Sequence, residues 1–208
     1  MLAPAILYLH GFNSAPSSVK AKQLQLAWQQ LELPSEHLII PQLPHHPAQA
    51  IALLESLIDP QLNLTLVGSS LGGYYSTYLA RQYQLPALLI NPAVAPHTLF
   101  DGILGEQENL YTGERWQLTK EHLEALAALE VSAPTAQENY QVWLQTGDET
   151  LNYRHAEHYY QACSLRIEAG GDHGFANFAQ HLPALLLFAG VAAEHVAQLD
   201  LTKIDGVE

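Results

Sequence analysis

Leu64-Thr65-Leu66-Val67-Gly68-Ser69-Ser70-Leu71-Gly72-Gly73-Tyr74-Tyr75 carries an apolar run into a turn of glycine and serine, then out into a stretch of helical composition reaching Arg81. Strand, sharp turn and helix in that order form the setting in which a Gly-x-Ser-x-Gly pentapeptide presents its central serine. The glycines have a mechanical task. A serine held in strained geometry at such a turn needs neighbours two residues away without a Cβ, because strand and helix approach closely there. Gly68 and Gly72 meet that need only if Ser70, not Ser69, is central. A tight structural turn is the competing reading, and the flanking strand and helix favour a candidate nucleophile at Ser70.

Outward from this turn, short apolar runs recur at 5–9, 38–40, 64–67, 87–90, 140–145 and 164–168, each the length of a buried strand. Between them, 19–31, 47–58, 71–82, 153–162 and 177–188 repeat apolar residues at helical spacing. Ser17 or Ser18 is placed to cap the helix starting near Val19, and Pro47 suits a first helical turn. This alternation predicts an α/β fold, with a mostly parallel central sheet covered by helices on both faces. The alternation breaks between Pro92 and Asn139, around a helix-like stretch at 120–129. Segments of that length are usually functional or hold extra structure, so a small lid insertion at about 92–139 is expected, against a covering excursion without a role. The expectation is one domain over 1–190 and a poorly patterned tail at 191–208, whose acidic end from Asp200 to Glu208 should fray.

A serine hydroxyl needs a histidine base, and that base needs a carboxylate to orient it. The strand at 164–168 ends before Gly170-Gly171-Asp172-His173-Gly174-Phe175, a glycine-rich loop ahead of the final helix, which makes His173 the candidate base. Asp148 follows the strand at 140–145 and the turn Thr146-Gly147, so it should emerge at the sheet's carboxyl edge. Glu149 ranks behind it and Asp172 third. A developing oxyanion needs preplaced donors. The Leu71 backbone N–H is one candidate and the Phe12 N–H the other, with Gly11 allowing close approach of the backbone. His10 reads as a hydrogen-bonded scaffold residue rather than a base. His10, Gly11 and Tyr74 are candidates for the substrate pocket.

Leu7-Tyr8-Leu9-His10-Gly11-Phe12-Asn13-Ser14, Ile40-Pro41-Gln42-Leu43-Pro44, the Ser70 turn, Asn91-Pro92-Ala93-Val94 and Gln145-Thr146-Gly147-Asp148-Glu149 together resemble the YqiA/YcfP-type bacterial esterases. The resemblance runs from the first strand to about Phe188. It implies a small cytoplasmic protein of the α/β-hydrolase fold that hydrolyses carboxylic esters, or acyl thioesters, without metal or organic cofactor. It maps Ser70, Asp148 and His173 onto a catalytic triad. Asp172 departs from the pattern, standing where a neutral residue such as Asn is expected, and the tail beyond Gly190 is longer than the family requires. An idle binding module that keeps the pocket without the chemistry is the alternative from another class.

Composition narrows the partners. Eight basic residues against 21 acidic ones leave a net charge of −13, which repels phosphate backbones and gives no long-range attraction to anionic membranes or substrates, although a local basic patch in a cleft could oppose it. Nucleic-acid and membrane partners are not expected, and a small acyl ester is. The oligomeric state is not legible. No segment approaches the roughly 20 apolar residues of a membrane span, and Met1 to His10 lacks the basic start of a signal peptide. The single cysteine, Cys163, reads as a buried, inert thiol. His155, Glu157 and His158 lack a further ligand at metal-binding spacing, so no metal is expected. His37, His45 and His46 read as solvated loop residues. Tyr74, Tyr75 and Tyr78 read mainly as helix packing. Tyr111 and Trp116 could equally touch substrate or pack a core.

Overall fold

The computed structural model describes residues 2–207. Met1 and Glu208, the outer ends of the N-terminal and tail readings, lie outside the described residues. The chain runs through β1 (Pro4–Leu9), α1 (Val19–Gln30), β2 (Leu38–Ile39), α2 (Pro47–Ser56), β3 (Asn63–Ser69), α3 (Leu71–Tyr83) and β4 (Ala87–Ile90). The insertion holds α4 (Pro96–Phe100), β5 (Gly105–Glu108), β6 (Arg115–Leu118) and α5 (Lys120–Ala127). It is followed by β7 (Tyr140–Gln145), α6 (Tyr153–Tyr159), β8 (Ser164–Glu168), α7 (Phe178–Phe188) and α8 (Ala193–Val196).

Six strands pair in the order β2-β1-β3-β4-β7-β8, and every pairing is parallel. The inner strands of such a sheet, joined by helical crossovers, are covered on both faces, which is why β1, β4 and β7 are mostly apolar, whereas the edge strand β8 is largely exposed. On one face Leu7, Leu9, Leu64, Leu66, Leu89 and Val142 pack against α2, α3, α5 and α6. On the other, Ile6, Tyr8, Val67, Leu88, Ile90 and Trp143 meet α1, α7 and α8.

The strand order reverses at β1 and β3: β2 lies to one side of β1, whereas β3 and β4 follow on the other. Open parallel sheets bind ligands beyond the carboxyl ends of their strands at such a switch point. Ser70 leaves β3 there, and the loop from His10 leaves β1 beside it, with Leu9 paired to Gly68.

Two local expectations are corrected, and the insertion gains a detail. The Ser18 hydroxyl does not cap α1: it accepts from no first-turn N–H and is buried toward the Tyr8 phenol. The insertion contains an antiparallel hairpin, β5 with β6, that its polar sequence did not announce. Through residue 207 the tail is packed rather than frayed: Val191, Val196 and Ile204 are buried in the core cluster that holds α1 and α7. Gln30 fastens it further, exchanging side-chain hydrogen bonds of 3.0 and 3.2 Å with the Asp200 backbone. Among the described residues no helix is long and apolar enough to cross a membrane.

Candidate active site

Ser70 has φ 55° and ψ −119°, a conformation that costs a non-glycine residue about 1–3 kcal/mol unless its surroundings impose it. They do so from both sides. The Ser70 N–H donates to the Ile90 carbonyl at 3.0 Å, and its own carbonyl accepts from the Ala93 N–H at 3.1 Å, tying the turn to the end of β4. The elbow glycines account for the close approach. A Cβ on Gly72 would run into the Leu9 and His10 carbonyls, and one on Gly68 into the Gly72 backbone and the Ser76 hydroxyl.

Held in this way, the Ser70 hydroxyl lies 3.0 Å from His173 Nε2, and His173 Nδ1 lies 2.8 Å from Asp148 Oδ2. Of the two tautomers, this chain of bonds suits the one in which Nδ1–H donates to the carboxylate and Nε2 accepts from the hydroxyl. The Asp148 side chain is only 2% exposed. Its other oxygen accepts from the Thr150 and Leu151 N–H groups at 2.9 and 2.7 Å, which keeps a buried carboxylate fully partnered. The structure also separates the three acid candidates. Glu149 accepts from the His173 backbone N–H at 3.0 Å and so holds the loop, not the ring; backbone hydrogen bonds, the His173 N–H among them, lower its pKa. The Asp172 side chain is exposed, and its backbone makes the loop's contacts.

Asn91 and Gln145 complete the site, and neither was singled out in the sequence as a positioning residue. Asn91 Nδ2 donates to the Asp172 and His173 carbonyls at 3.0 and 3.3 Å. Gln145 Oε1 accepts from the Asp172 and Ala176 N–H groups at 3.1 and 2.8 Å, and its Nε2 donates to the Ala176 carbonyl at 3.0 Å. Both amides are buried at the carboxyl ends of strands, where a buried amide calls for loop groups to bond. That was the available signal.

The loop after β1 runs against the nucleophile: a Cβ on Gly11 would sit 3.2 Å from Ser70 Cβ. The Leu71 N–H, in the first turn of α3, and the Phe12 N–H, in the loop, have no backbone or side-chain acceptor among the described residues. His10 is buried under this loop. Its Nδ1–H donates to the Gly11 carbonyl at 3.0 Å and its Nε2 accepts from the Leu43 N–H at 3.1 Å. Burial lowers its pKa, with the Gly11 bond working against that and His45 reinforcing it. His10 is therefore a neutral strut for the Gly11-Phe12 backbone.

The hairpin grips the same loop. Trp116 Nε1–H donates to Asn13 Oδ1 at 2.9 Å, and Asn109 Nδ2–H donates to the Ser14 carbonyl at 2.9 Å. His45, read as solvated, instead stacks on Trp116 with ring centroids 4.4 Å apart. His46 and His122 lie against each other beside it, centroids 4.9 Å apart. Tyr74, a pocket candidate, turns away: its hydroxyl donates to the Leu126 carbonyl at 2.7 Å, clamping α5 onto α3. In front of Ser70 is a cleft of about 280 Å³, with His173, Gly11, Tyr8, Lys20 and the hairpin's Tyr111 in its walls. Cys163 lies apart from all of this, and burial pushes its thiol up to about 11. No group of His, Cys, Asp and Glu among the described residues is arranged to hold a metal ion.

The fold and this site define a protein of the α/β-hydrolase fold with a hydrogen-bonded Ser-His-Asp chain at its nucleophile turn. The chain belongs to the family described as "Uncharacterised protein family (UPF0227)", which it matches over residues 5–190. The YqiA/YcfP-type resemblance thus holds at the level of family and fold. A UPF0227 protein from Shewanella woodyi is 32% identical over 109 residues, covering 49% of this chain and 56% of the relative, so the match spans little more than half of that protein's length. Among solved structures, a provisionally named hydrolase from Agrobacterium vitis S4 superposes with a TM-score of 0.68 at 18% identity, covering 90% of this chain and 88% of that one. Est1E from Butyrivibrio proteoclasticus gives 0.60 at 12% identity, covering 95% and 88%. The esterase domain of a Rhodothermus marinus protein gives 0.60 at 16%, covering 93% and 88%. At these identities the likeness is one of fold.

Proposed function

We propose that this protein is a serine hydrolase that cleaves small carboxylic esters through an acyl-enzyme intermediate. The observation that carries the reading is the unbroken hydrogen-bond chain from Ser70 Oγ through His173 to Asp148, built on a left-handed turn. As Ser70 Oγ attacks the acyl carbonyl, His173 Nε2 takes its proton, and Asp148 stabilises the imidazolium that forms. The Leu71 and Phe12 N–H groups hold the oxyanion. Such preplaced donors contribute about 10²–10³ each in turnover. Collapse expels the alcohol, which takes the proton back from His173. Water, deprotonated by the same ring, then attacks acyl-Ser70 and releases the acid. These steps draw on water alone, with no metal or organic cofactor.

A cleft of about 280 Å³ suits short acyl and alcohol groups. Lys20 is the one Lys or Arg among the described residues lining it, which disfavours a polyanionic coenzyme thioester. An idle binding module would have no use for a strained serine aligned with a base and acid. The role we assign is that of a cytoplasmic enzyme acting on a small acyl ester, with the 92–139 insertion as its lid. The test is turnover of para-nitrophenyl acetate and butyrate. Ser70→Ala should lose at least about 10³-fold in kcat. Turnover that survives this substitution would contradict the assignment.

A further inference from the structure

The cleft in front of Ser70 contains a cation that the ester chemistry does not use. Lys20, in the first turn of α1, places its ammonium 2.7 Å from the Gly174 carbonyl, and Lys20, Ser70 and His173 line one cavity. No carboxylate lies within ion-pair distance of it among the described residues, although Lys203, Arg81 and Arg115 each have one. One carbonyl satisfies one of the three donors of an ammonium. The surroundings add to the positive pole. The N-terminus of α1 opens onto the cleft at Ser18 and Val19, and N–H groups at a helix start favour a negative charge. The buried Ser18 hydroxyl lies near the Tyr8 phenol without an aligned hydrogen bond, and both residues border the cleft.

We propose that the Lys20 end of the cleft binds a carboxylate carried by the substrate, so that the ester cleaved at Ser70 is a monoanion. This rests on the hydrolase reading above and names its substrate class. A single charge is favoured over a phosphate dianion because one ammonium faces the cavity while Asp148 and Asp172 act on it from the histidine side. The arrangement also reconciles an anionic substrate with a chain of net charge −13. The long-range field repels such a molecule, whereas the local cation retains it once inside. Burial lowers the Lys20 pKa to about 8, with Asp172 and Asp148 opposing the drop, so the ammonium is the main form at neutral pH and is lost above that value.

The competing role for Lys20 is positioning, since its bond to Gly174 also tethers the loop that carries His173. The two roles separate by charge. The experiment measures kcat/KM for the mono-para-nitrophenyl ester of adipic acid against para-nitrophenyl hexanoate, and for para-acetoxybenzoate against phenyl acetate. The first pair puts the carboxylate on the acyl side, the second on the alcohol side. Wild type should prefer the anionic member of one pair, and Lys20→Met should reduce that ratio by at least about tenfold, equivalent to about 1.4 kcal/mol. Lys20→Arg should retain part of it. The wild-type ratio should also fall as pH rises through about 8, while Lys20→Met shows no such step. A wild type that cleaves the neutral esters without preferring either anionic one overturns this inference and leaves the hydrolase reading standing. So does a Lys20→Met variant that slows both members of a pair equally. A wild type that cleaves none of the four overturns both.

Discussion

Asn91 accepts a 3.0 Å hydrogen bond from the Gln145 backbone N–H, joining the end of β4 to the end of β7 beneath the histidine loop that follows β8. Through its amide nitrogen the same Asn91 holds the Asp172 and His173 carbonyls, and through its side chain Gln145 holds Asp172 and Ala176. The base is thus located by two amides, neither of which touches its ring.

Asn91→Leu should therefore act on both stability and turnover. It leaves the buried Gln145 N–H without its acceptor, at a cost of about 1–3 kcal/mol. It also frees the His173 backbone, so kcat should fall more than KM changes. Chemical denaturation and steady-state kinetics on one preparation check this. A stability loss with unchanged kcat would deny Asn91 its positioning role.

Adjacent carboxylates do different work in this site. Asp148→Asn should lower kcat by about 10⁴-fold, because an amide facing Nδ1 favours the wrong tautomer. Glu149→Gln still offers an oxygen to the His173 N–H and should stay within about tenfold of wild type. Equal losses, or the reverse order, would move the acid to Glu149.

His10 makes the stability of the β1 loop sensitive to acid. Burial depresses its pKa, so below about pH 6.5 the unfolded chain binds a proton here that the folded state resists, and stability falls as pH drops through that value. Protonation would also aim a second donor at the Leu43 N–H. His10→Leu should cost about 1–3 kcal/mol at pH 7 by leaving that N–H unpaired. It should also flatten the fall in stability between pH 7 and 5. A variant with the wild-type slope would show that other histidines carry the effect.

Most of the architecture was legible because its elements are locally consistent. The strands at 140–145 and 164–168 fall at their expected bounds: the first is an apolar run buried in a parallel sheet, which reads the same in isolation as in the fold, and the second is a short alternating segment at the sheet's edge. Gly68 and Gly72 pointed to Ser70 because the strand-turn-helix pattern that demands them is itself local, although the Leu9 and His10 carbonyls that Gly72 clears lie far off in the chain. The unread features depend on distant partners. Hairpin strands Gly-Glu-Gln-Glu and Arg-Trp-Gln-Leu have little strand character, and their place is set by Asn13, Ser14 and His45. Ile204 packs into a groove formed by helices nearly the whole chain apart. Tyr74 resembled a pocket residue because position on α3 does not reveal that its hydroxyl meets Leu126. Lys20 carried no motif at all, and only folding brings it into the cleft with Ser70 and His173.

The central claim is that Ser70 is a nucleophile activated by His173. The most direct measurement is labelling of the folded protein with a fluorophosphonate, followed by mass spectrometry of the digested adduct. The account predicts one phosphonate on Ser70, loss of ester turnover in step with labelling, and no labelling in His173→Ala or in unfolded protein. An unlabelled Ser70, or labelling that persists without His173, would contradict it.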